Sequence, residues 1–158
     1  MKLYFKQNLF SILDSYKIYY ENGSIAYEVH GELALSHKLR IYDAKGNEVG
    51  LVKQKIITLL PKFCLYVNGE SFGELKRKLS LLFPSYELTY NHWYVSGDLF
   101  EWNYEILDEN DQLVATVSKQ LFHLTDHYVI DVVNEKDALL ALMFTLAIDA
   151  EKCSRDNG

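Results

Sequence analysis

Residues 138–148 read Ala138-Leu139-Leu140-Ala141-Leu142-Met143-Phe144-Thr145-Leu146-Ala147-Ile148, and this run constrains the fold more than any other part of the chain. Asn134 stands where a helix cap accepts from the backbone, and Asp137 suits the positive end of the helix that follows. A helix lying on a surface keeps one polar face; here apolar residues fall on every face, so the helix must be enclosed. Its eleven apolar-run residues fall well short of the ~20 that span a bilayer, so the enclosure is expected to be protein. Burying Leu139, Leu140, Leu142, Met143, Phe144 and Leu146 contributes roughly 10–15 kcal/mol before entropy costs. A polar tail is expected from about residue 151.

The material available to enclose it is strand-like. Turn signals recur at residues 21–24, 43–48, 68–70 and 108–112, with Asn22-Gly23 and Asn68-Gly69 supplying the positive φ that tight hairpins require. Segments 16–20, 25–29, 39–42, 49–52, 63–67, 72–75, 102–107 and 113–117 flank these turns and are rich in β-branched and aromatic residues. Such spacing predicts a sandwich or barrel rather than βαβ units. Residues 52–65 also align with residues 75–88 at an offset of 23, with Lys53/Lys76, Lys55/Lys78, Leu59/Leu82, Pro61/Pro84 and Leu65/Leu88 identical. One hairpin type therefore recurs, leaving through a basic strand end into an apolar corner. A dozen candidate strands followed by an all-apolar helix predict a barrel closed around its last element.

Composition sets the remaining limits. At 158 residues the chain suits a single domain, residues 1–158, with a core large enough to need no staples. Hydrophobic residues at 49% exclude disorder, and a net charge of −6 argues against a nucleic-acid binder. The two cysteines, Cys64 and Cys153, read as free thiols in a reducing compartment, with Cys64 a small buried apolar side chain. The N-terminal residues lack a signal-peptide h-region, and a cytoplasmic protein with no transmembrane segment is expected.

The opening MKLYFKQNLFSILDSYKI, the segment KLRIYDAKGNEVGLVKQKIITLLPKF and the apolar terminal helix together resemble the bacterial branch of the LURP-one-related family. That family shares the Tubby C-terminal-like fold with Tubby proteins and phospholipid scramblases. The resemblance implies a closed antiparallel β-barrel of about twelve strands around a central hydrophobic C-terminal helix. It implies no agreed activity; Tubby relatives bind phosphoinositides through basic residues on the barrel surface.

Four lysines are the leading site candidates. Lys53 and Lys55 share one strand face at period two, as do Lys76 and Lys78 at the equivalent place of the repeat, next to Arg77. If the repeated hairpins lie side by side, the four form one cationic patch, with Lys6 and Lys119 as further candidates from weaker echoes. Cations gathered within a Debye length, about 8 Å at physiological salt, suit a phosphate-bearing headgroup. The plainer reading is a solvated strand face. Residues 1–90 carry 12 basic and 9 acidic groups (+3) while residues 91–158 carry 4 and 13 (−9), which predicts an electrostatically polar molecule.

Other constellations are weaker. His123 and His127 flank Asp126, but a turn at Thr125-Asp126 fits better than a metal site, which needs three or four placed ligands. Asp98, Glu101, Glu105, Asp108, Glu109 and Asp111 read as a solvated hairpin. Trp93, Tyr94, Trp102 and Tyr104 read as core and cross-strand pairs. No nucleophile elbow, phosphate loop or dinucleotide fingerprint occurs, so no cofactor, metal or catalytic residue is assigned. The expected function is a non-enzymatic binding module that recognises an anionic phospholipid headgroup or a protein partner on the barrel exterior. The alternative is a small-molecule-binding protein or enzyme with a pocket at a barrel end, which would show a deep pocket, converging polar groups and shifted pKa values.

Overall fold

The computed structural model describes residues 1–6, 15–32, 36–78, 85–99, 101–122 and 125–156; the side chains of 121, 122, 125, 126 and 153–156 fall outside the description. Twelve strands follow in order: β1 (Lys2–Lys6), β2 (Ser15–Tyr20), β3 (Ile25–Glu32), β4 (Lys38–Asp43), β5 (Glu48–Gln54), β6 (Lys62–Val67), β7 (Glu70–Lys78), β8 (Ser85–Leu88), β9 (Tyr94–Asp98), β10 (Asn103–Leu107), β11 (Leu113–Phe122) and β12 (Thr125–Val132). Each pairs antiparallel with its chain neighbours, and β1 pairs with β12 from Lys2↔Asp131 to Lys6↔His127, which closes the barrel.

The helix α1 (Ala138–Asp156) follows a 3-10 turn at Glu135–Asp137, whose cap Asn134 accepts from the Lys136 N–H at 3.4 Å. Every residue from 141 to 148 is at most 1% exposed, because the wall surrounds the helix on all sides. Gly50 of β5 lets the wall approach closely: a Cβ there would sit 3.1 Å from Met143 Sδ and 3.2 Å from Ile41 Cδ1. The wall supplies one inward residue in two, among them Leu3, Ile18, Val29, Ile41, Val52, Leu65, Leu75 and Ile106. Trp102 and Tyr104 join this core, with Trp102 against Tyr128 at 4.5 Å between centroids and Tyr128 stacked on Phe5 at 5.3 Å.

Three expectations change. Thr125 and Asp126 open β12, paired with Phe122 and Leu121, because β11 and β12 continue their ladder past the expected turn; His123 lies outside the described residues. Cys64 is half-exposed: Phe63 and Leu65 point inward, so period two puts the residue between them on the outer face. The helix continues through the expected polar tail to Asp156, and Glu151 within that stretch is 1% exposed.

Alternating strand direction sorts the connections between two ends. Residues 21–24, 44–47, 68–69, 89–93 and 108–112 turn at one, the turn end. The last residues of β1, β3, β5, β7, β9 and β11 lie at the other, with the described connection 55–61. β12 finishes at the turn end, so α1 starts there and its last turns reach the opposite end, where they meet β7, β8 and the link from β9 to β10.

Candidate functional site

The repeated segments become the neighbouring hairpins β5–β6 and β7–β8, and the predicted lysines share one outer wall. Val52 and Leu75 point inward, so Lys53 and Lys55 on one side and Lys76 and Lys78 on the other point outward. Two rows run across the strands. Lys53 lies beside Cys64, which lies beside Glu74; the Lys55 N–H donates to the Lys62 carbonyl at 2.9 Å, and Lys62 lies beside Lys76, which lies beside Glu87. Lys62 is the member of this patch that the repeat could not reveal, because residue 85, its equivalent, is Ser. Lys6 and Lys119 do not join it: β1 and β11 flank β12 on the opposite wall.

Carboxylates compensate part of this charge. Glu74 accepts from Lys55 and sits 3.5 Å from Lys76, and Glu87 accepts from Lys78 and sits 3.1 Å from His92 Nδ1. The Lys55 ammonium holds the Glu74 carboxyl below the usual carboxylate range, as Lys78 does for Glu87. Lys53 and Lys62 have no ion pair among the described residues. Lys38, paired in register with Lys53, is bridged to Glu32 at 2.6 Å, and Arg40 joins Glu32 to Glu48. Glu48 and Glu70 stand at the far ends of β5 and β7, so at the end of this wall that holds Lys53, Lys55, Lys62, Lys76 and Lys78 the five lysines face two glutamates, Glu74 and Glu87, and that end keeps a positive excess.

This patch borders the connection between β5 and β6. Ile56, Ile57 and Leu59 there are 55%, 98% and 98% exposed. A cleft of about 390 Å³ beside them is lined by Ser36, Gln54 and Lys55 as well as by the loop itself.

A second polar group lies inside the barrel, where α1 approaches its end. Arg77 and Tyr86, cross-strand neighbours, both donate to Glu151: the guanidinium at 3.0 Å to Oε1, the phenol to Oε2. Lys152 donates to the Leu99 carbonyl at 2.7 Å and lies 4.4 Å over the Trp102 ring. One turn deeper, Asp149 Oδ1 and the Tyr104 hydroxyl are buried without a hydrogen-bond partner among the described residues. Burial pushes the Asp149 carboxyl up to about 7 and the Tyr104 phenol well above its usual value. Sequence reasoning missed this group. Its only signal is a set of acidic residues following an apolar helix, which reads equally well as a solvated tail. Neither the cleft beside Ile57 nor one of about 480 Å³ at the turn end, lined by Met1, Lys2 and Tyr20 among others, includes Asp149 or Tyr104.

The acidic hairpin serves the fold. Asp108 accepts from the N–H groups of Asn110 and Gln112 at 2.8 and 3.0 Å, and Asp98 accepts from the Glu101 N–H at 3.1 Å. Among the described residues no group of three metal-ligating side chains converges, and no helix is long and apolar enough to cross a membrane.

A closed twelve-strand antiparallel barrel filled by one C-terminal helix, with a lysine-rich outer wall, defines the class of protein to compare. The family model for LURP-one-related proteins matches residues 1–149, and the chain belongs to that family. It is similar to YxjI of Bacillus subtilis (strain 168), described as an uncharacterised protein, with 25% identity over 150 residues, 94% of this chain and 92% of that one. The fold matches an Arabidopsis thaliana protein solved by X-ray crystallography, with a TM-score of 0.66 and 16% identity over 95% of this chain and 90% of that one.

Proposed function

We propose that this protein is a non-enzymatic binding module that docks anionic lipid headgroups on the outer wall of β5–β7, through Lys53, Lys55, Lys62, Lys76 and Lys78. The observation that carries this reading is the side-by-side placement of the two repeated hairpins, which gathers lysines distant in sequence onto adjacent strands. Glu74 and Glu87 hold the long lysine side chains in place, while Lys53 and Lys62 stay available to an incoming phosphate. The enzymatic alternative is less well supported, because the shifted carboxyl of Asp149 is enclosed away from both clefts.

Vesicle co-sedimentation tests the proposal. Binding to phosphatidylserine-containing vesicles, absent with phosphatidylcholine alone and weakened by salt, is the expected result. Reversing Lys53, Lys55, Lys76 and Lys78 to Glu should lower it about 100- to 1,000-fold, at roughly 1 kcal/mol per lysine. The thermal midpoint should change little, since exposed ion pairs stabilise a fold weakly. Binding that survives the reversal, or none at low salt, overturns the reading.

A further inference from the structure

We propose that the connection between β5 and β6 is a membrane anchor, in which Ile56, Ile57 and Leu59 enter the interfacial layer of an anionic bilayer while the adjoining lysines hold headgroups. This rests on the lipid-facing reading of the lysine wall and adds to it the part of the molecule that leaves water.

Folding does not account for these side chains. Ile57 adopts φ 60, a left-handed conformation that suits Gly or Asn and strains a β-branched residue. The strain is not offset by burial, since Ile57 and Leu59 are each 98% exposed. Of the six large hydrophobic side chains exposed among the described residues, three belong to this one loop, whereas Tyr90, Leu113 and Val133 stand singly. Scattered exposed apolar residues need no explanation, but a cluster of them does.

Charge decides the occupant. Lys55 opens the loop, Lys62 follows it, and Lys53 and Lys76 lie beside them on the neighbouring rungs. An aliphatic tip inside a collar of ammonium groups complements a surface that is negative outside and apolar beneath. A second copy of this chain would present the same positive collar, and three side chains cover far less than the ~800 Å² per partner that a stable dimer buries.

The test uses the full chain with Leu59→Trp as a depth probe, because the native Trp93 and Trp102 are buried in the core. Phosphatidylcholine–phosphatidylserine vesicles with acyl chains brominated near the headgroup should shift its emission to the blue and quench it. The pair Ile57→Asp and Leu59→Asp should lower vesicle affinity about 100-fold at physiological salt, about tenfold per side chain removed from the lipid. Ile57→Gly separates anchoring from folding: it should weaken vesicle binding while leaving the thermal midpoint unchanged or higher. An introduced indole that stays unquenched on bound protein overturns the anchor and leaves the headgroup reading standing. Wild-type protein that binds no vesicles overturns both. Self-association lost in the Asp pair, without vesicle binding, assigns the loop to a second copy and overturns the anchor.

Discussion

The two ends of the barrel solve the same problem, reversing a strand, with different chemistry. At the turn end the polar side chains of the hairpins satisfy the backbone. Asp43 accepts from the N–H groups of Lys45 and Asn47, both at 2.9 Å; Asn22 accepts from Ser24; Asp108 accepts twice. Gly23, Gly46 and Gly69 supply positive φ in three of the turn-end reversals, and Asn68, His92 and Asp111, polar residues, adopt it there too. At the other end the described connection from β5 to β6 is longer, carries Ile57 where a glycine would cost nothing, and exposes aliphatic side chains beside lysines. Residues 79–84, outside the described set, repeat that apolar composition in sequence. The hairpins of the first end are explained by folding; the exposed aliphatic side chains of the second are what the proposed anchor would account for.

Three substitutions test that division. The largest effect is expected at the helix-exit end, where the buried Glu151 is held by Arg77. Arg77→Leu leaves a buried carboxylate without its cation and should lower stability by about 3–5 kcal/mol, read by denaturant unfolding. A loss below about 1 kcal/mol would show that the helix end is not fixed by this pair.

Next comes Asp149, whose carboxyl is raised by burial from 3.8 to about 7. Between those values the folded protein keeps a proton that the unfolded chain has released. This contribution to stability is therefore fullest below about pH 4 and is lost as pH rises toward 7. Asp149→Asn should flatten that slope and raise stability above pH 7 by roughly 3–4 kcal/mol, as measured by urea unfolding across pH. An unchanged slope would place Asp149 in contact with water.

The smallest effect belongs to the turn end. Asp108→Ala removes two acceptor contacts and should cost about 1 kcal/mol in thermal or denaturant unfolding. It should also leave vesicle binding unaltered. A change in vesicle binding would mean that the two ends do not act separately.

Local signals in the sequence suffice for much of this architecture. Asn-Gly turns mark hairpins, the all-apolar run of α1 requires an enclosure, and the 23-residue offset places Lys53 and Lys76 on equivalent strand faces. What local signals miss is set by partners far along the chain. Cys64 is placed outside by the inward choice of Phe63 and Leu65, and Glu151 is buried because Arg77 and Tyr86, 74 and 65 residues away, reach it. The charge split between residues 1–90 and 91–158 is visible in the sequence, but its axis is not. Strand direction assigns Asp43, Glu48, Glu70, Asp108 and Asp111 to the turn end and Lys53, Lys55, Lys62 and Lys78 to the other, but Lys2, Lys45 and Lys136 also lie at the turn end and Glu32, Asp98 and Glu101 at the other.

The closure of the ring by β1 and β12 has a consequence for biosynthesis. The strand that seals the wall and the helix that fills it both come after residue 124, so a ribosome delivers eleven strands before either. Until then the emerging sheet has two unpaired edges and an apolar inner face with nothing to cover it, the state in which nascent β-proteins aggregate. The pairing of Lys2 with Asp131 also joins residues almost a full chain apart, a contact order that favours slow folding. The two segments without which the preceding ones have no lasting partner are thus made after them, and a chaperone that shields a half-built barrel would act during that interval.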